Sequence, residues 1–251
     1  MANKKNKTQP SYSIFGLNGC SELLQSGQFQ INHIYLQEGS QADKNRRLFD
    51  PRHQYANNIT GLSKHTFKNR FHKGRTQGIV VEFFGNGVKK DLPNFSQVDS
   101  ACILVLDQIE DPQNFGQIIR TSECAGIDGL LFPKHHSAPI SDTVLQVSQG
   151  AFVNLPLYEA TNLKHEFQQL KEDGFWIVGL ENSIDAEEWH KIDYKGKVAI
   201  VVGSEGKGIR EKVLESCDFK ATIPMQGKTD SLNVSAAVSA ILFERLRQIS
   251  L

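Results

Sequence analysis

Three short stretches gather the residues best suited to chemistry. LDQIEDPQNFGQIIRTSE (106–123) carries Asn114, Gly116 and Arg120. VVGSEGKGIRE (201–211) sets a lone acid, Glu205, among Gly203, Gly206 and Gly208. TDSLNVSAAVSAILFERLR (229–247) places Ser231 and Asn233 just before an apolar helical run. A guanidinium, a carboxylate, two amides and a hydroxyl suit the orientation of a polar substrate and the stabilisation of charge. The glycines allow a backbone to come close to a ligand and offer its amides as donors. The stretch is not a phosphate-binding P-loop, because Gly208 is followed by Ile209 and Arg210 and no Ser or Thr stands ready to hold magnesium; nor is it GxGxxG. Each residue also has a plainer reading. Arg120 could pair with Glu123 at i,i+3, a contact worth a few tenths of a kcal/mol. Asn114, Ser231 and Asn233 could simply cap helices, and Glu205 could be a solvated charge.

The elements around these stretches alternate. Apolar strands are expected at ACILVLDQI (101–109, with Asp107 at its exit), DGLLFP (128–133), VNLPLYE (153–159), FWIVGLE (175–181), KVAIVVGSE (197–205) and FKATIPM (219–225). Between them lie helical patterns at 114–127, at 141–151 opened by Ser141, and at 163–174. A final helix begins at about Val234, with Val234, Ala237, Val238, Ile241, Leu242 and Leu246 on one face. Strands alternating with helices imply a parallel, doubly wound α/β sheet, whose ligands collect at the carboxyl ends of the strands.

The first part of the chain reads as a smaller α/β unit. It has a strand at 12–18, a helix at 19–27 capped by Ser21 and stopped by Gly27, and an alternating strand at 31–37. An exposed helix within 41–57 and a buried strand at 78–84 follow. The expected organisation is a basic tail (1–10), a first domain (11–85), a turn-rich linker (86–100) and a second domain (101–251).

Charge divides along the same line. The net charge is zero, yet residues 1–90 carry 14 basic and 5 acidic side chains while 91–251 carry 14 and 23. The basic residues cluster in KNRRLFDPRH (44–53) and KHTFKNRFHKGR (64–75), interleaved with Phe and His. Cations contact phosphates and rings stack on unpaired bases, so a nucleic acid is the expected partner of the first half. Cys20, Cys102, Cys124 and Cys217 lack metal-ligand spacing and read as reduced and buried, and no metal site is expected. No apolar run reaches the ~18 residues of a membrane span, and no apolar segment follows MANKKNKTQP. These features suggest a cytosolic protein.

The three stretches also form a pattern in order and spacing: NxGxxxR, then GxEGxG followed by IPM (223–225), then SLNVS (231–235). Over roughly 101–249 the chain resembles the SpoU (TrmH-like) family of RNA ribose 2′-O-methyltransferases, within the SPOUT superfamily. Its first half resembles the ribosomal-protein-like α/β substrate domain of the branch that modifies a guanosine in 23S ribosomal RNA. The resemblance implies that S-adenosylmethionine is held by Gly203, Gly208, Ile223, Met225 and Leu232, with glycine needed because side chains would block its approach. It further implies a catalytic cluster of Arg120, Asn114, Glu205, Ser231 and Asn233, in which Arg120 either activates the 2′-hydroxyl as a base or acts as a fixed cation. A deep trefoil knot and a homodimer are implied as well. The alternatives are a tRNA guanosine 2′-O-methyltransferase and an inactive knotted RNA-binding assembly factor; the joint presence of Asn114, Arg120, Glu205 and Asn233 counts against the latter.

Overall fold

The computed structural model describes residues 10–44, 55–72, 74–183, 185–229 and 231–250. The chain divides into two compact units, one of residues 1–87 with Gln149–Val153, the other of 88–148 and 154–251.

In the first unit, β1 (Ser11–Phe15), α1 (Leu17–Ser26), β2 (Gln30–Gln37) and α2 (Gln41–Lys44) precede β3 (Ile59–Leu62), α3 (Lys64–Arg70) and β4 (Ile79–Phe84). The four strands lie in the order β1-β4-β2-β3, with β4 antiparallel to both neighbours and β3 parallel to β2. The apolar run IVVEFF explains why β4 is a central strand: Ile79, Val80, Val81 and Phe83 are all buried. Helix α1 starts earlier than its sequence suggests. Gly16, at φ 91°, occupies the N-cap, and Ser21 lies inside the helix, where its hydroxyl accepts from Gln25. Gly27 ends the helix in the left-handed region, as expected of a C-cap glycine. Of the helix expected within 41–57, Gln41–Lys44 is present and 45–54 lies outside the described residues, as do most of the basic cluster 44–53 and nearly all of the tail.

The second unit contains β5 (Val88–Lys89), β6 (Ala101–Asp107), α4 (Pro112–Cys124), β7 (Gly129–Pro133), α5 (Asp142–Val147), β8 (Leu157–Ala160) and α6 (Leu163–Glu172). It continues with β9 (Trp176–Leu180), β10 (Glu187–Glu188), β11 (Lys197–Gly203), α7 (Glu211–Leu214), β12 (Phe219–Thr222) and α8 (Val234–Ile249). Eight strands form one sheet in the order β10-β12-β9-β11-β6-β7-β8-β5, and every pairing is parallel. Strand β6 is buried along its whole length and β11 along Val198–Val202, as the continuous runs ACILVL and VAIVV require of strands covered on both faces. From β6 the chain winds outward through β7 and β8, then returns to place β9 and β11 on the other side. The order reverses between β6 and β11, where open α/β sheets bind ligands.

Two expectations change here. The stretch 86–100, expected as a linker, is built into the second unit from Val88 on. Its strand β5 pairs with β8, Leu92 and Phe95 are buried in the core, and the Asp173 carboxylate accepts from Phe95 N (2.9 Å) and Asn94 Nδ2 (3.2 Å). Two apolar residues spaced by turn formers leave no period to detect. The cysteines are all free, but Cys124 is exposed and Cys217 only partly buried.

Candidate active site

Strand β6 ends at Asp107, which is fully buried. A carboxylate taken out of water needs full pairing. Arg210 supplies it, with its backbone N–H 2.8 Å from Oδ2, and Nε 2.8 Å and a terminal nitrogen 2.6 Å from Oδ1. The end of β6 is thereby bonded to the segment that follows β11.

Between β11 and Arg210 the chain makes a closed turn. Ser204 N donates to Gly208 O (3.2 Å) and Gly208 N to Ser204 O (2.9 Å), while Gly206 and Gly208 adopt positive φ of 79° and 66°. A Cβ on Gly203 would lie 2.0–2.2 Å from the backbone of Gly208 and Ile209. Glycine is thus required at 203 so that the turn can fold back onto its own strand. This corrects the expectation that a ligand alone demands it.

The turn carries Glu205 outward. Its Oε1 accepts from Asn233 Nδ2 (2.6 Å), Asn114 Nδ2 (3.1 Å) and Val234 N (3.3 Å). Asn233 Nδ2 also donates to Asn114 Oδ1 (3.0 Å), which closes a ring of three side chains from three separate segments. One of these donors, Val234 N, belongs to the first turn of α8, where the helix dipole favours an anion. Asn233 caps α8, accepting from Ser235 N (2.9 Å) while its amide group serves the ring; the plain and the chemical readings both hold. Asn114 is not a cap. Asp111 caps α4 and Pro112 opens it, which leaves Asn114 buried within the first turn and facing Glu205.

Ser231 lies on the wall of the adjoining cleft, exposed. Arg120 lies two turns along α4 from Asn114, exposed, with no ion pair to Glu123 and no hydrogen bond among the described residues. The ring therefore unites Asn114, Glu205 and Asn233, while Ser231 and Arg120 stand outside it. Sequence reasoning passed over Gln117 and Ser235. Ser235 Oγ lies 2.9 Å from Gln117 Oε1 and 2.6 Å from Asn233 Oδ1, a second polar tie between α4 and α8. Their positions, i+3 from Asn114 and i+2 from Asn233, are the available clue.

Beside the ring opens a cleft of about 410 Å³. Gly203 and Gly208 form part of its wall, with Ile223, Met225 and Leu232 from the segments on either side of residues 226–230. Glu205 reaches its rim, and the half-buried Glu181, just past β9, lies on the same wall. Burial pushes the Cys217 and Cys102 thiols up to about 12. The polar groups can orient a substrate and stabilise charge. The cleft combines exposed backbone with an apolar wall, as a nucleoside-bearing ligand requires.

Comparison with known proteins gives a consistent picture. Residues 101–243 match the SpoU rRNA Methylase family, and residues 13–86 match the RNA 2′-O ribose methyltransferase substrate binding domain. The chain is 33% identical over 238 residues to the 23S rRNA (guanosine-2′-O-)-methyltransferase RlmB of Shewanella oneidensis, covering 94% of this chain and 96% of that protein. It is 32% identical over 247 residues to RlmB of Pseudomonas aeruginosa, with the same coverage. Among solved structures, the SpoU methyltransferase AviRb of Streptomyces viridochromogenes, in complex with the cofactor AdoMet, shares the fold with a TM-score of 0.78 at 20% identity, over 96% of this chain and 92% of that one.

Proposed function

Because the chain belongs to the SpoU rRNA methylase family, we propose that it methylates the ribose 2′-oxygen of a guanosine in 23S ribosomal RNA, using S-adenosylmethionine. The observation that carries this reading is the ring of Asn114, Glu205 and Asn233 on the rim of a glycine-walled cleft. The cleft fits the cofactor chemically. Ile223, Met225 and Leu232 offer an apolar wall to a planar base, and the turn at 203–208 offers backbone donors and acceptors. When bound, the cofactor supplies an electrophilic methyl group on a sulfonium.

The chain's own residues do the rest. Three N–H donors on Oε1 fix the Glu205 carboxylate and leave Oε2 to accept from Arg120 or from the incoming ribose. Arg120, exposed and without an ion pair among the described residues, is placed to meet RNA. A guanidinium holds its proton far above neutral pH, so its role is that of a fixed cation that stabilises the developing alkoxide. Ser231, on the cleft wall, positions the ribose. We further propose a trefoil-knotted second unit, supported by membership of the SpoU family, and a homodimer, supported by the exposed Phe243 and Ile249 on α8. Four free cysteines favour the cytoplasm. Among the described residues, no helix is long and apolar enough to cross a membrane.

The test is methyl transfer from labelled cofactor to transcribed 23S fragments against bulk tRNA. Label confined to a guanosine ribose of the 23S fragment is expected; label on tRNA alone would overturn the substrate assignment.

A further inference from the structure

A second cleft, of about 330 Å³, opens at the same end of the parallel sheet as the cofactor cleft. The glycine turn connects the two, since Gly208 lines the first and Arg210 the second. Loops after β7, β8 and β11 meet there and bring together His135, His136, Lys164, Arg210 and Lys212 against one acid, Glu211.

Composition does not explain this concentration of basic groups. Residues 91–251 carry 23 Asp and Glu against 14 Lys and Arg, yet three of those cations and two histidines, from three separate segments, line one concavity. Arg210 is held in place by its contacts to the buried Asp107, which balance its charge, so Lys164 and Lys212 supply the uncompensated cations of the cleft. His136 sits at φ 59°, a left-handed conformation uncommon outside glycine. Lys164 and Lys212 form no ion pair among the described residues. A strand bearing a phosphate on every nucleotide, and obliged to reach the neighbouring cofactor cleft, has the complementary charge.

We infer that this cleft binds the phosphodiester backbone of the RNA substrate beside the target ribose, so that the second unit, and not the first alone, holds the RNA. The inference rests on the methyltransferase reading above. Lys164 and Lys212 each lie in the first turn of a helix, where an acid is favoured by the helix dipole. Lys164→Glu combined with Lys212→Glu is therefore compatible with folding, which a thermal melt checks.

The test uses the full-length protein and protein-free 23S ribosomal RNA, titrated at several salt concentrations. The double variant is expected to bind RNA about tenfold or more weakly, and the log–log salt slope to flatten by roughly 1.4–1.8, since each lost phosphate contact removes about 0.7–0.9. Its affinity for S-adenosylmethionine should stay unchanged. RNA affinity and slope equal to the parent's would overturn the proposal, and if that variant still methylated the RNA, the enzyme reading would stand. Inorganic pyrophosphate bound in a Lys164- and Lys212-dependent manner, with RNA binding unaltered, would make this a small-anion site and also overturn it. Failure of the parent protein to bind or methylate any RNA would remove both readings together.

Discussion

Arg120 and Glu205 carry opposite charges at the site, but their surroundings differ. Glu205 is fixed by three donors on one oxygen, whereas Arg120 has no partner within the described chain. Arg120→Ala should therefore leave the melting temperature and cofactor affinity nearly unchanged while lowering methyl transfer by at least 100-fold, a range typical of lost transition-state donors. Arg120→Lys keeps charge without the planar fork and should recover only part of the rate. Near-normal turnover of the alanine variant would remove Arg120 from the mechanism. Gly203 makes a different prediction. Its substitution by alanine forces a Cβ into the backbone of Gly208 and Ile209, so stability should fall by about 1–3 kcal/mol along with cofactor affinity. A variant that lost cofactor affinity and kept its melting temperature would restore ligand approach as the reason for glycine. The thiols offer a simple check on burial. Cys124 alone is exposed, while burial raises the thiol pKa of Cys20, Cys102 and Cys217, so one cysteine should react rapidly with a thiol reagent at pH 8.

Helix α8 does two jobs along its length. Its first turn is bonded to Glu205 and, through Ser235, to Gln117 on α4. Its last turns are tied to the segment before β11, where Gln248 bonds both Ile192 O and Tyr194 N. Between these ends Glu244 is buried and receives Arg247 through two nitrogens, at 2.8 and 2.7 Å, and Gln248 at 2.9 Å. The Arg247 hydrogen bonds, ahead of other causes, hold the Glu244 carboxyl at about 2. A group with a depressed folded-state pKa stabilises the fold above its unfolded value, near 4.5, and loses that contribution as pH falls through about 2. Acid unfolding followed by circular dichroism should therefore become shallower between about pH 4.5 and 2 in Glu244→Gln. An unchanged acid limb would show that solvent screening of the half-exposed Arg247 cancels the pair.

For the molecule as a whole, the stretch 88–100 decides where the second unit can begin. Val88 and Lys89 extend the sheet, and Leu92 and Phe95 fill its core beside Phe167, Leu170 and Phe175. A protein beginning at Val88 should unfold cooperatively and bind cofactor. One beginning at Ala101 should be less stable by several kcal/mol, since two large apolar side chains and the partners of Asp173 are lost. Equal melting temperatures would show that 88–100 is a dispensable linker. The shorter proteins also test the charge division. In the protein beginning at Ala101, which lacks all 14 basic side chains of residues 1–90, RNA affinity should depend less on salt.

The sequence alone determined what depends on near neighbours. Continuous apolar runs marked β6 and β11 because strands covered on both faces need side chains apolar on both. Ser141, Asn233 and Gly27 marked helix ends because caps act within one turn. The three chemical stretches could be located in the same way, each following a strand. Tertiary structure alone decided which groups meet. Asn114 faces Glu205 across 91 residues and Asn233 across 119, because β11 inserts beside β6 and brings their following loops to one crevice. The same insertion pairs the buried Asp107 with Arg210. Phe95, unremarkable among turn residues, becomes core because Phe175 and Asp173 come to lie beside it. Local spacing records the preference of a segment for helix or strand. It does not record strand order, and strand order is what brings donors, acceptors and charges from distant loops within bonding distance.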